Sequence, residues 1–240
     1  MLAAMWVFPL VAAGVAFVFS AVLFRQFAAR RRPYLLVWGI SLAMYGVASA
    51  AVVVGVLNGW TSFWFELYWA LGAVLNVPFL AGGEIQLLAR NRTVDAVVYL
   101  VLIFITAYTV AVLRGAHVDP VPLVERLPSG KHVFGDGTPA HRLPQLISIP
   151  SFTVLLLGTL WSAWKMRGRP ELRDRFYGTL FIALGASVVA GGATFAALGN
   201  LAGFCVTLVL GICVMFAGFL RASRPSPAAS APVVDAASAS

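Results

Sequence analysis

Apolar residues run through this chain in blocks much longer than a β-strand needs. They occupy 5–24, 34–57, 63–88, about 94–113, 146–164, about 176–198 and 201–220. A helix must offer about 20 mostly apolar residues to cross a bilayer, and in lipid only helices and closed barrels satisfy every backbone N–H and C=O. The blocks therefore predict an all-α fold, a polytopic membrane bundle of seven transmembrane helices. Between the fourth and fifth blocks lies a long polar loop, 114–144, with turn signals at Leu127-Pro128-Ser129-Gly130 and Gly135-Asp136-Gly137. A loop of that length points to function or to ordered packing over its end of the bundle. The last twenty residues, 221–240, are rich in Pro, Ala and Ser and read as a disordered cytoplasmic tail. The organisation is one transmembrane domain, 1–220, and that tail.

Composition agrees. Hydrophobic residues make up 60% of the chain and charged residues 11%, where a soluble domain carries about 25% charged. Mean hydropathy is +0.89. The net charge of +8 would suggest nucleic acid in a soluble protein, but the basic residues sit in short loops between apolar blocks. That distribution is an orientation signal and a contact with anionic lipid, so the lipid bilayer is the predicted partner and nucleic acid is not.

Thirteen of the seventeen Lys and Arg residues lie in alternate connections: Arg25 and Arg30–Arg32, then Arg90 and Arg92, then Lys165, Arg167, Arg169, Arg173 and Arg175, then Arg221 and Arg224. The other four, Arg114, Arg126, Lys131 and Arg142, share the long loop. The positive-inside rule then places the N-terminus outside and the C-terminus on the cytoplasmic side of a cell membrane. The first block has no basic start and is followed by arginines, the reverse of a signal peptide, and reads as an uncleaved helix. Trp6, Trp60 and Trp64 are expected at the outer interface and Trp38, Trp161 and Trp164 at the inner one.

The first three and last three helices share a plan. Helix two follows Arg32-Pro33 and carries Gly39 and Gly46; helix six follows Arg169-Pro170 and carries Gly178 and Gly185. Pro9 and Pro150 recur in helices one and five. One reading is a 3+1+3 parallel pseudo-repeat with helix four as linker; the other is chance alignment of sequences rich in Gly, Ala and Leu. Ala183, Ser187 and Gly191 on helix six, and Gly203, Gly211 and Gly218 on helix seven, form small-residue stripes of the kind that let helices approach closely. Packing within the chain, a homodimer or a membrane-protein partner would each use them. Cys205 and Cys213 are eight helical residues apart, about 12 Å, too far for a disulfide, and read as packing residues.

Ionisable groups within a span are costly and therefore candidates for function. Helix three alone has them, Glu66 and Glu84, with Asn76 between. Eighteen residues are five helical turns, which puts both carboxylates on one face. Pro78 removes the hydrogen bond to the Val74 carbonyl and leaves an acceptor there, and Gly82 and Gly83 read as a pliable segment. A polar seam lining a cavity would use Glu66, Asn76 and Glu84 as ligand-binding residues. The plainer assignment has Glu66 reaching the headgroups, Glu84 pairing with Arg90, Arg173 or Arg175, and Asn76 bonding a neighbouring helix. His117, His132 and His141, with Asp119 and Asp136, lie in the loop without the spacing of a metal site, so no metal or cofactor is expected. Helix seven has no lysine for a retinal Schiff base, no histidine falls in a block for haem or zinc, and neither a phosphate-binding loop nor a kinase region follows. No pairing of base and nucleophile suggests an enzyme.

The stretches Leu71-Gly72-Ala73-Val74-Leu75-Asn76-Val77, Leu127-Pro128-Ser129-Gly130, Leu160-Trp161-Ser162-Ala163-Trp164 and Ala183-Leu184-Gly185-Ala186 resemble a group of uncharacterised bacterial seven-transmembrane-helix membrane proteins. That resemblance covers nearly all the chain before the tail and implies a fold and a location. The plan is more loosely similar to the seven-helix sensor regions of histidine kinases. It is also similar to PQ-loop and SWEET-type transporters, which use prolines in helices one and five and a polar residue in helix three, here Pro9, Pro150 and Asn76. This chain departs from the transporters in having Pro144-Gln145 at the mouth of helix five and no asparagine in helix seven. The expected function is a sensing or accessory module that binds a small apolar ligand or a membrane partner. The alternative is a small-solute transporter with its polar site on helix three.

Overall fold

A computed structural model describes residues 5–223. Seven helices in it are long and apolar enough to span a membrane: helix one, Val7–Arg30; two, Pro33–Asn58; three, Ser62–Ala89; four, Arg92–Arg114; five, Pro139–Met166; six, Pro170–Ala197; and seven, Leu201–Ala222. The chain is thus a multi-pass, all-α membrane bundle. The predicted tail lies outside the described residues except for its first three, two of which finish helix seven. Helix five is longer than its apolar block. It starts at Pro139, because Thr138 caps it by accepting from the His141 N–H and Pro is favoured in a first turn.

Helix one packs on two, two on three, three on five, five on six, six on seven, and seven back on one. These six form a ring. Helix four packs outside it, against helix three and the start of helix five, and turns Leu100, Ile103 and Phe104 outward. All connections with clustered arginines meet at one end of the ring, the basic end; the 115–138 connection covers the other, the loop end. Trp161 and Trp164 are exposed near the basic end, as expected of interfacial aromatics.

Trp60 and Trp38 are not. Trp60 is buried in the crook of Gly55 and donates its Nε1–H to the Arg126 carbonyl at 3.0 Å. Trp38 lies against Gly83 and donates to the Leu80 carbonyl at 3.0 Å. A buried indole needs a partner for its N–H, and each finds one in a neighbouring segment. Gly83 therefore makes room for an indole, where pliability had been expected.

The loop is packed down. Leu127, Val133, Phe134 and Leu143 belong to the main core, and the cap helix Gly130–Phe134 sits under Trp69 so closely that a Cβ on Gly130 would fall 2.0 Å from the ring.

The matched glycines of helices two and six do different jobs. Gly39 and Gly46 receive Phe24 and Phe17 of helix one. Gly178 and Gly185 touch the backbone of helix seven, where an added Cβ would lie 2.5 Å from the Gly218 carbonyl oxygen and 2.6 Å from that of Gly211. A parallel repeat would pair helix six with five as it pairs two with one, so the glycine spacing gives the repeat no support. Nor do the prolines match: Pro9 lies in the first helical turn and is buried, while Pro150 is deep in its helix and exposed.

The close-packing stripe of helix six is Gly178, Gly185 and Gly192. The expected stripe differs, since Gly191 has no neighbour within 4 Å and the Ser187 hydroxyl bonds back to Ala183. On helix seven, Gly203, Gly211 and Gly218 do meet helix six, as expected. Cys205 and Cys213 are free thiols in helix seven.

Candidate functional site

Two proline-linked irregularities, one in helix three and one in helix five, meet where these helices pack. Pro78 has no N–H for the Val74 carbonyl, and its ring crowds that turn. The helix widens into a π-segment over Trp69–Leu75, and the freed carbonyls are met from helix five. The Ser148 hydroxyl lies 2.7 Å from the Ala73 oxygen and 3.0 Å from that of Val74. Helix five repeats the arrangement. Pro144 has no N–H for the Ala140 carbonyl, a second π-segment spans Pro144–Ser148, and the Ala140 oxygen accepts from Trp69 Nε1 at 3.0 Å. Each helix thus supplies the donor that the other's proline removed. Wide turns of this kind are frequent at functional sites, and within a span they persist only where neighbours satisfy the backbone.

Beside these turns lies a cavity of about 400 Å³, within the range of about 300–1,000 Å³ usual for small-molecule sites. Helices two, three, five, six and seven and the cap helix contribute walls, mostly of Leu, Val, Ile, Phe and Ala. Asn76 forms part of its inner wall, and Lys131 and His141 stand at its loop end. A smaller void of about 90 Å³ adjoins it and shares Tyr45, Tyr68, Gly72, Ala73, Val189 and Ala193 as lining. Gln145, Ile149, Ala193 and Ala197 line the cavity and are also exposed on the outside of the bundle. The cavity therefore opens sideways between the loop-end halves of helices five and six.

Of the three predicted ligand-binding residues, Asn76 alone lines this cavity. It is buried, and its backbone oxygen and Oδ1 both accept from the Ser41 hydroxyl, the former at 2.8 Å. That is the expected interhelical bond, and it leaves the amide N–H₂ as what Asn76 can offer a ligand.

Glu84 lies instead against helix five, where Ser162 donates to its Oε1 at 3.3 Å and its Cγ packs at Gly158. The expected arginine partner is absent: none of the ion pairs among the described residues includes Glu84. Arg90, Arg173 and Arg175 are exposed, whereas Glu84 is buried.

Glu66 is half-buried near the loop end and lines neither of these two cavities. The five-turn argument that aligned it with Glu84 fails because the intervening π-segment changes the residues per turn. The three side chains do not form one seam.

No family model, curated protein or solved structure matches this chain. The site must be read from its own chemistry.

Sequence reasoning missed several parts of the site. His141 had been placed in the loop and every span held free of histidine; it lies in the first turns of helix five, 3.8 Å from Asp136, with a buried Nδ1 that has no hydrogen-bond partner. Pro144-Gln145, read as the mouth of the helix, lies inside it and lines the cavity. Trp69 was overlooked, although a tryptophan five residues inside an interfacial pair was its only signal. Outside the cavity lining, Gln86 is buried with neither amide atom bonded among the described residues. The loop histidines do not converge: His132 faces Glu125 at 3.9 Å, and no three His, Cys, Asp or Glu side chains gather among the described residues.

Proposed function

We propose that this protein is a non-enzymatic membrane module that binds a small, mostly apolar ligand in the cavity between helices three, five and six, in a sensing or accessory role. The observation that carries the reading is the cavity itself: ligand-sized, apolar over most of its wall, and furnished with a buried amide at Asn76. A tightly closed core would have offered a ligand nothing. The charge pattern supports an orientation with the loop end outside, so the ligand enters from outside or from the outer leaflet. The test is a thermal-shift screen of small apolar compounds on the protein in phosphatidylcholine nanodiscs. Ala190→Trp, which fills the cavity, abolishes the shift, Asn76→Ala weakens it, and Glu84→Gln leaves it intact because Glu84 is not in the wall. Shifts that persist in Ala190→Trp would sink the proposal.

A second reading, small-solute transport, draws on one observation: Pro144-Gln145 lies within helix five at the cavity, beside a pair of wide turns suited to movement. It requires a passage toward the basic end, and uptake into proteoliposomes that Ala190→Trp stops would favour it.

A further inference from the structure

The lining of the main cavity has a chemical bias. It contains a lysine and a histidine, Lys131 and His141, and no aspartate or glutamate. Lys131 has three N–H donors and no acceptor. Asn76 has its Oδ1 engaged by Ser41 and only N–H groups left. The Tyr68 hydroxyl makes no hydrogen bond with another described residue's side chain, while that of Tyr45 is spent on the Leu208 carbonyl at 2.9 Å. The nearest carboxylate, Asp136, is outside the lining. It holds Lys131 at 3.1 Å and His141 at 3.8 Å from their solvent side. Gln145 and Ser129 in the lining can donate or accept, so the bias is one of charge: a wall apolar in depth, with a lysine and no carboxylate at its rim, fits a molecule that brings the negative charge itself. The shape agrees: from His141 to Leu155, both in the lining, helix five rises about 21 Å, and the exposed lining residues Ile149 and Ala193 mark an opening toward lipid.

We propose that the ligand is a single-chain amphiphile with a carboxylate head, its head at Lys131 and His141 and its chain along helices five and six, admitted through the side opening. This rests on the ligand-binding reading above and adds the head chemistry to it. The carboxylate takes the place of Asp136 as partner of Lys131 and supplies the His141 imidazole with a hydrogen-bonding neighbour. Charge-assisted hydrogen bonds of this kind are about twice as strong as neutral ones.

The test uses the full chain in phosphatidylcholine nanodiscs and three probes of equal chain length: hexadecanoic acid, hexadecanol and hexadecyltrimethylammonium. The expected result is that the acid binds about tenfold more tightly than the alcohol, a gap of about 1.4 kcal/mol, and that the cation binds weakest. Lys131→Met erases the preference. Asp136→Asn, which frees Lys131, increases it. Lys165→Met, at the other end of the bundle, leaves it unchanged. Dipalmitoyl phosphatidic acid added to the disc tests the source of the anion: competition by the free acid alone supports the single-chain ligand, and stronger competition by the lipid overturns it in favour of a headgroup. Equal binding of all three heads, or a preference that survives Lys131→Met, overturns the proposal while leaving apolar binding in the cavity intact. If none of the probes binds and the compound screen is also empty, the ligand-binding reading falls with it.

Discussion

Helices six and seven meet in one way and helices three and five in another. In the first contact, glycines at seven-residue spacing bring the two backbones together, with Gly185 against Gly211 and Gly178 against Gly218. Seven residues are close to two turns, so the glycines stay on one face, where backbone meets backbone and Met215 and Val189 pack alongside. In the second contact each helix carries a π-segment, the two are joined by Ser148 and Trp69, and the cavity flanks them. Lipid tails are as apolar as leucine, so burial does not drive either contact; dispersion and hydrogen bonding do. The glycine seam gains dispersion over a close, inflexible surface. The proline contact relies on directed hydrogen bonds and borders the cavity. One half of the ring is a close-packed seam and the other half borders a cavity.

The difference breaks most visibly at Gly185. A leucine there would push into the Gly211 carbonyl oxygen and the Met215 backbone, both within 2.7 Å of the added Cβ. Backbone atoms cannot rotate away. The expected loss is about 3 kcal/mol or more, at the upper end of overpacking costs, read as a lowered unfolding midpoint in mixed micelles. Gly191→Leu, six residues on with open space at its Cβ, costs little. Equal losses at the two positions would remove the distinction between a seam and a merely small-residue helix.

The proline contact yields a smaller and more specific effect. Ser148→Ala removes the donor that serves the Ala73 and Val74 carbonyls, at about 1–2 kcal/mol, the range for buried interhelical hydrogen bonds. Pro78→Ala restores the missing N–H, so the Val74 oxygen gains a partner within its own helix. In the double variant Ser148→Ala should cost markedly less than in the wild type, a coupling that a thermodynamic cycle reads directly. Additive effects would mean that Ser148 does not compensate for Pro78. Trp69→Phe keeps the ring over Gly130 but strips the N–H from the Ala140 carbonyl, and should couple to Pro144→Ala in the same way.

Much of this frame is legible in residue type. Seven spans, with the ends of helices two, three, four and seven within two residues and those of one, five and six extended by six or seven at one end, and the glycines of helix seven follow from length, hydropathy and small-residue spacing, because lipid imposes those requirements on each helix separately. Pro78 announces a free carbonyl at Val74 for the same local reason. What is not legible depends on partners. Nothing in Ser148 or Trp69 says that they complete the other helix's prolines, since that needs the register between helices three and five. Glu66 and Glu84 seemed to share a face because α-helical geometry was carried through a segment that turns out to be π-helical. His141 was assigned to the loop because hydropathy cannot recognise a helix that starts before its apolar residues do. Trp38 and Trp60 show the same limit: a tryptophan near a span end suits an interface and a glycine pocket equally, and only the fold decides.

The finest distinction lies at the loop end of the proline contact, where Asp136 links the cap helix to helix five through Lys131 and His141. The hydrogen bond and charge of Lys131 hold the Asp136 carboxyl below its ordinary value of 3.8, with the nearby His141 and the Gly137 backbone adding to the effect. A carboxyl whose folded value is depressed contributes stability that is present above the unfolded value and lost as pH falls through the folded one. The contribution should therefore be complete at pH 5 to 7 and fade only below about 4. Asp136 is exposed, so salt should screen the clasp strongly. Hydrogen exchange of the cap-helix amides is the sensitive measurement. At low salt and neutral pH, Asp136→Asn should raise exchange at Val133 and Phe134, while the seam amides around Gly185 and Gly211 stay protected. Lowering the pH of the wild type below 4 should reproduce the variant after correction for the intrinsic rate, and about 0.5 M salt should shrink the difference between them. If the cap exchanges equally in both proteins under all these conditions, the aromatic packing of Phe134 on Phe65 and Trp69, with centroids 5.6 and 5.7 Å away, holds the cap closed without the clasp.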